Sequence, residues 1–245
     1  MKIVGVIPAR RGSSRFFNKP MAKILDKPMI WWVYKHSKEV EQFQEVYIAT
    51  DSEEIKEECE KFGAKVLMTS SNHDTATDRL YEVSKMVDAD LYVMVNGDEP
   101  LVTADTIVKC IPTKLNPKDF YVSNLMTKFE DPVEVVDSTN LKIVTNKDNI
   151  ALFISRNPIP YPKGNMNYTY NKFVGVGAFT KEALEFYHNT ERGEIEKIEE
   201  NDSFRFIENR KDIYYINAHC KSLSVDTPKD IVAVEEYLKT LGLDK

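Results

Sequence analysis

Short apolar, β-rich runs alternate with helical periodicities along the first part of the chain. Residues 3–7 predict a strand. Over residues 28–39, Ile30, Val33, Tyr34 and Ser37 recur at helical spacing and share one face. Strands are predicted at 46–49, 65–68 and 91–95. An amphipathic helix at 53–62, stopped by Gly63, and a second helix at 78–87 lie between them. This rhythm predicts an α/β fold: a mixed, mostly parallel sheet with helices on both faces. Ligands in such sheets bind beyond the carboxyl ends of the strands. The polar residues at 8–19, Thr50-Asp51 and 96–100 are therefore the places to look for chemistry.

Helical patterns thin out from about 115 to 172. Runs at 120–126, 141–145 and 151–154 predict strands, and a loop over 158–168 carries Pro158, Pro160, Pro162 and Gly164. The stretch reads as a small β-rich lobe within one domain spanning 1–245, a lobe suited to contributing to dimerisation. Residues 173–179 predict another core strand in which Gly175 and Gly177 allow close backbone approach. Helices, a strand at 212–217 and a last helix to about 241 complete the chain. The charge run 191–200 reads as a solvated helix face, and the adjacent Trp31 and Trp32 as packing residues.

Composition narrows the classes. The chain has 245 residues, 42% hydrophobic and 29% charged, as expected for one globular domain with ample core. No run is long enough for a membrane span, and the apolar N-terminal stretch is too short for a secretion signal. The three cysteines, Cys59, Cys110 and Cys220, are widely separated and suggest reduced thiols in the cytoplasm. A net charge of −6 disfavours a general nucleic-acid binder but leaves room for a local phosphate site. None of the four histidines shows metal-ligand spacing.

Three constellations carry chemistry. The run from Pro8 through Ala9, Arg10, Ser13, Arg15 and Lys19 to Pro20 follows a strand directly. Its backbone N–H groups, hydroxyls and cations can surround a polyphosphate, although its spacing is not that of a Walker loop. A solvated basic loop is the bland alternative. The second, Asn96-Gly97-Asp98-Glu99-Pro100, places a carboxylate where it can hold Mg²⁺ against phosphates, or is simply a β-turn. The third, Val225-Asp226-Thr227-Pro228-Lys229-Asp230, offers a second metal carboxylate in Asp226. It also carries the signals of a helix start, and both readings can hold together.

Taken in order, P-A-R-x-x-S-x-R-x-x-x-K-P, A-T-D, H-x-x-x-T-[DE]-R, G-D-E-P, S-R-x-P-I-P and V-D-T-P-x-D resemble the 3-deoxy-manno-octulosonate (Kdo) cytidylyltransferases over nearly the whole chain. The resemblance implies a nucleotide-diphospho-sugar transferase fold, a homodimer, and CTP and Mg²⁺ as reaction partners in carbohydrate biosynthesis. By position it assigns Arg10, Ser13, Arg15 and Lys19 to the triphosphate, with Ala9 beside them. It assigns His73, Thr75, Ala76, Thr77 and Arg79, together with Asn96, to the nucleotide. Asp98 and Asp226 match the metal carboxylates, and Arg10, Arg15, Lys19, Asp98 and Asp226 form the implied catalytic group. Arg156 matches a residue near the acidic sugar.

The chain departs from that pattern mainly on the acceptor side. Phe173 stands where the family has histidine, Gly177 where it has tyrosine, Asp202 and Ser203 where it has glutamate and glutamine, and Asn96 where it has glutamine. A site that loses hydrogen-bonding partners tends to lose the ligand that needed them. The expected reaction is therefore CMP transfer from CTP to Kdo or a Kdo-like acid. The same transfer to an amino-deoxy ulosonate, or to a phosphate- or phosphonate-bearing acid, is also compatible with these residues. So are transfer from UTP or GTP and a nucleotide-binding regulatory role without turnover.

Overall fold

An apolar run without polar alternation belongs in the middle of a sheet, and Leu91–Val95 is buried at every position. The computed structural model describes residues 1–12 and 16–242. Its elements begin with β1 (Ile3–Ala9), a 3₁₀ turn at Lys19–Met21, β2 (Lys23–Ile24), β3 (Lys27–Pro28) and α1 (Met29–Lys38). Next come β4 (Glu45–Thr50), α2 (Glu53–Lys61), β5 (Lys65–Met68), α3 (Ala76–Met86), β6 (Leu91–Val95) and α4 (Ala104–Ile107). The central part holds β7 (Val122–Lys128), α5 (Pro132–Val136), β8 (Lys142–Thr145), β9 (Ala151–Ser155) and β10 (Asn171–Phe179). The chain finishes with α6 (Lys181–Asn189), α7 (Glu194–Glu199), α8 (Phe204–Ile207), β11 (Tyr214–Asn217) and α9 (Pro228–Thr240).

Among the described residues the main sheet has nine strands, with the path β11-β7-β10-β6-β1-β4-β5. Every strand on that path runs the same way except β10, which lies antiparallel between β6 and β7. The β-rich stretch 115–172 supplies β7 to this sheet, while β8 and β9 form an antiparallel extension off the start of β10. A separate two-stranded sheet joins β2 and β3.

The period of two along the strands divides the core. Leu91, Val93 and Val95 pack on one face with Ile30 and Val33 of α1 and Ile55 of α2. Tyr92 and Met94 face the opposite layer, with Leu80 and Val83 of α3 and Leu184 of α6. A third cluster seats Val234 and Leu238 of α9 against Trp32, Ile24 and Val225, which fixes the segment carrying Asp226.

The charge run 191–200 differs from its sequence reading. Glu196 is completely buried and accepts from Arg205 Nε at 3.0 Å and Nη2 at 2.7 Å. Arg205 in turn lies 3.8 Å from the centre of the Tyr187 ring. A bidentate arginine partner lets a carboxylate enter a core that composition alone would deny it.

Candidate active site

The loops after β1, β4 and β6 emerge at the same edge of the sheet because those strands are parallel and adjacent. Gly97, after β6, passes so close to the end of β1 that a Cβ there would meet the Pro8 carbonyl oxygen at 3.0 Å. Asp98 follows at once. Its carbonyl accepts from Val225 N at 2.9 Å, which brings Asp226 alongside from the far end of the chain. Thr227 and Asp230 form a capping box that starts α9 with Pro228 in its first turn. The helix-start and carboxylate-presenting readings of this motif thus coexist.

Lys19 Nζ donates to Asp98 Oδ2 at 2.8 Å and to Asp226 Oδ1 at 3.2 Å. Burial disfavours the ammonium, but the attraction and hydrogen bonding of Asp98, joined by Asp226, outweigh it and raise the lysine pKa above its ordinary value. Beneath this trio sits Glu99, 1% exposed. It accepts from Gly175 N at 3.0 Å, Ser224 Oγ at 2.6 Å and Ser222 Oγ at 3.0 Å. Burial, reinforced by the neighbouring Asp98, pushes its carboxyl above the usual range. Glu99 therefore ties the turn after β6 to β10 and to the segment before Asp226. The sequence flagged the motif but not this role, since nothing in a charged residue before a proline signals burial.

Arg79 is 3% exposed and held by Asp51 Oδ2 at 3.2 Å and by the Thr69 hydroxyl. Asp51, directly after β4, thus serves to fix an arginine of α3, while the Thr50 hydroxyl accepts from Ser52 N at 3.2 Å. Thr75 caps α3 by accepting from Asp78 N at 3.1 Å, while Asp78 Oδ2 accepts from Thr75 N at 3.2 Å. His73 Nε2 lies 2.5 Å from Glu82 Oε2. Burial works against the Glu82 carboxylate, but its bonds to His73 and to Ser70 N hold its pKa below the ordinary value.

These groups surround a cavity of about 240 Å³. Ala9, Arg10 and Lys19 line it from the first loop, His73, Thr75, Ala76 and Arg79 from the start of α3, and Asn96, Asp98 and Asp226 from the two carboxylate turns. Ser13 and Arg15 lie outside the described residues. A smaller inner chamber of about 40 Å³ shares Ala76 and Asn96 with the first and is lined by Thr77, Phe173, Asp202 and Ser203. Thr77 Oγ1 donates to Asp202 Oδ2 at 2.6 Å. Asn124 of β7 also lines this chamber, and the sequence reading did not find it. The only local signal was a polar Ser123-Asn124 pair within a strand that is otherwise buried and apolar from Val122 to Met126.

Arg156 stands apart from both cavities. Its Nε donates to the Glu199 carbonyl and its Nη1 to the Ser138 carbonyl, each at 3.1 Å. Gly177 is explained by packing, because a Cβ there would meet Asn124 Oδ1 and the Ser123 carbonyl at 2.9 Å. A tyrosine does not fit this position without moving β7.

A sheet of this order, with a basic loop after its first strand and two convergent carboxylates at the same edge, defines a nucleotidyltransferase of the nucleotide-diphospho-sugar transferase type. The cytidylyltransferase family model matches residues 4–231. The 3-deoxy-manno-octulosonate cytidylyltransferase of Fusobacterium nucleatum is 34% identical over 98% of this chain and 98% of its own. An 8-amino-3,8-dideoxy-manno-octulosonate cytidylyltransferase of a Shewanella species is 34% identical over 97% of this chain and 99% of its own. A solved CMP:2-keto-3-deoxy-manno-octonic acid synthetase complexed with CTP superposes with a TM-score of 0.90 at 32% identity, covering 98% of this chain and 100% of that one. The chain belongs to the 3-deoxy-manno-octulosonate cytidylyltransferase family.

Proposed function

We propose that this protein transfers CMP from CTP to a small Kdo-like sugar acid and releases pyrophosphate. The observation that carries the reading is the meeting of Asp98 and Asp226 at one cation, Lys19, inside the cavity that also holds Arg10, Thr75 and Arg79. The anomeric hydroxyl of the acid attacks the α-phosphorus of CTP, the bond from that phosphorus to the bridging oxygen breaks, and the hydroxyl proton leaves to water. Both reactants are anions, so the main task is to offset charge and fix geometry.

Mg²⁺ suits the donor set. Two carboxylates supply hard oxygens, and among the described residues no cluster of three or more His, Cys, Asp and Glu is present to complete a protein-only cage. Such a pair would leave most of the ion's positions open to phosphate oxygens and water. Asp98 and Asp226 would hold the ion, which supplies positive charge against the charge developing on the phosphates. Lys19 offsets the carboxylate pair, and Arg10 adds positive charge on the same side. The His73–Arg79 segment presents a capped helix start and a fixed guanidinium to the nucleotide. Pyrophosphate release from CTP on adding a sugar acid, measured with a coupled phosphatase, tests the reading. Release with no acid of this class would sink it.

A homodimer is part of the same proposal. β9 pairs only with β8 among the described residues and leaves Leu152 and Phe153 exposed, an apolar open edge that pairing with a second copy would cover. Light scattering on the purified protein decides between one copy and two. No described helix is long and apolar enough to cross a membrane. The three cysteines are all free, which supports the cytoplasm as the place of work.

A further inference from the structure

The inner chamber beside the nucleotide cavity is lined by aromatic and aliphatic side chains, two asparagines, two hydroxyls and one carboxylate. Asn96 Oδ1 is buried with no hydrogen-bond partner. Asn124 uses its amide nitrogen on the carbonyls of Leu125 and Val174, both at 2.9 Å, so its Oδ1 remains to accept. The Asp202 carboxylate takes a hydrogen bond from the neutral Thr77 hydroxyl at 2.6 Å. The Arg205 guanidinium directs its hydrogen bonds to Glu196 and the Tyr187 carbonyl and none to Asp202. Phe173, Phe179 and Phe206 stand in the wall, and among the described residues no lysine, arginine or histidine lines the chamber.

An unpaired buried acceptor and a carboxylate without a cation are both unfavourable until a donor arrives. A carboxylate or phosphate entering here would face the Asp202 carboxylate with no cationic side chain of the described lining to offset its charge. The acid end of the acceptor therefore belongs in the outer cavity, with Arg10 and Lys19. The group that enters the chamber must be small, because about 40 Å³ admits little more than one water-sized group. It must also donate hydrogen bonds and tolerate aromatic faces, as an ammonium does.

We propose that this chamber reads a primary amine on the acceptor, with Asp202 as the specificity-determining residue and Asn96 and Asn124 as the accompanying acceptors. The inference rests on the cytidylyl-transfer reading and names the acceptor class within it: an amino-substituted Kdo-like acid in place of the hydroxy acid. Phe173 and Gly177 fit this assignment, since neither puts a donor into the chamber to compete with the amine.

The test is steady-state pyrophosphate release with CTP and Mg²⁺, using 3-deoxy-manno-octulosonate and its 8-amino-3,8-dideoxy counterpart as a matched pair. The native protein is expected to show kcat/KM at least about tenfold higher for the amino acid, since a hydrogen bond to a charged group exceeds a neutral one by roughly that factor or more. Asp202→Asn is expected to bring that ratio to about one, mainly through KM of the amino acid. The native ratio stands as a test even if the variant misfolds. Equal or better use of the hydroxy acid overturns the amine assignment and leaves cytidylyl transfer standing. An unchanged ratio in a folded Asp202→Asn variant removes Asp202 from the role. Release with neither acid, in a protein that still binds CTP, overturns both readings.

Discussion

Glu99→Ala should cost both stability and turnover, and Glu99→Gln should cost little of either. The carboxylate is buried and accepts from one backbone N–H and two serine hydroxyls belonging to β10 and to the segment before Asp226. Alanine leaves all three donors without their acceptor. The Gly175 N–H, inside the sheet, has no second choice and loses about 1–3 kcal/mol. Ser222 is buried and loses a similar amount, whereas Ser224 is only partly buried and can turn to water. Relief of the burial penalty on the charge offsets part of this. The net loss is then about 2–4 kcal/mol, a fall of roughly 5–15 °C in Tm for a chain of this size. Glutamine keeps an acceptor toward Gly175 and Ser224, and its amide nitrogen can donate to Ser222 once that hydroxyl turns. Its loss should stay within about 1 kcal/mol. The pH dependence has a definite sign. Burial raises the folded-state pKa of Glu99 above its unfolded value, so the folded state holds the proton longer. Its contribution to stability is greatest at low pH and declines as pH rises from the unfolded pKa to the folded one. Glutamine removes that decline. Urea denaturation at several pH values measures the stabilities. Pyrophosphate release measures turnover, where the alanine variant should lose more than about 10²-fold, because the two catalytic carboxylates lose their common anchor. An alanine variant as stable and as active as the native protein would show that Glu99 does not organise the site.

Asp98→Asn and Asp226→Asn should each lower kcat by more than about 10²-fold with an unchanged circular dichroism spectrum, since each removes one preorganised charge at the point they share with Lys19. A near-native rate at saturating Mg²⁺ in either variant excludes that residue from the chemistry. CTP should raise Tm in the presence of Mg²⁺ well beyond ATP or GTP, because the His73–Arg79 segment offers fixed polar groups to one base; equal protection by ATP rules this out. Glu196→Gln should destabilise the fold by about 3–5 kcal/mol in urea titration, because it leaves the buried Arg205 guanidinium short of its charge partner. A loss below about 1 kcal/mol would mean Asp78, 3.6 Å away, suffices alone.

The parts of the fold that follow short-range rules were legible in the sequence. The predicted strands at 65–68 and 91–95 coincide with β5 and β6, and Gly63, with φ of 81°, ends α2 where the pattern placed its stop. The basic loop and the Asp98 turn were visible because each directly follows a β-strand, and parallel topology then brings them to one edge; the Asp226 turn carried the signals of a helix start and reaches that edge through the bond from Val225 N to the Asp98 carbonyl. What the sequence concealed depends on long-range pairing. The burial of Glu196 requires Arg205 opposite it, and periodicity reads only the helix that Glu196 sits on. The reversed direction of β10 between β6 and β7 has no local signature, yet it sets Gly175 against Glu99 and Gly177 against Asn124. Arg156 matched a sugar-binding position by motif. Here its side chain is taken up by the carbonyls of Ser138 and Glu199 at the β9 extension.

The division of labour between the two cavities follows from the same topology. The outer cavity is lined by the loops after β1 and β6, the start of α3 and the turn before α9, and Glu99 anchors the two carboxylate turns beneath it. A substitution there disturbs charge placement that the transfer step needs whatever the acceptor is. The inner chamber takes much of its wall from β7, β10, α8 and the residues that precede α8, with Ala76 and Thr77 of α3, Met94 of β6 and Asn96 on the side it shares with the outer cavity. Its lining side chains, Phe173, Asp202 and Ser203 among them, touch neither Asp98 nor Asp226 through any hydrogen bond described between them. Side chains in the chamber can therefore change without moving the charges that act on the phosphates. Departures from the family pattern at Phe173, Gly177, Asp202 and Ser203, beside intact Arg10, Lys19, Asp98 and Asp226, are what such an arrangement permits: one transfer chemistry with an acceptor set by the chamber.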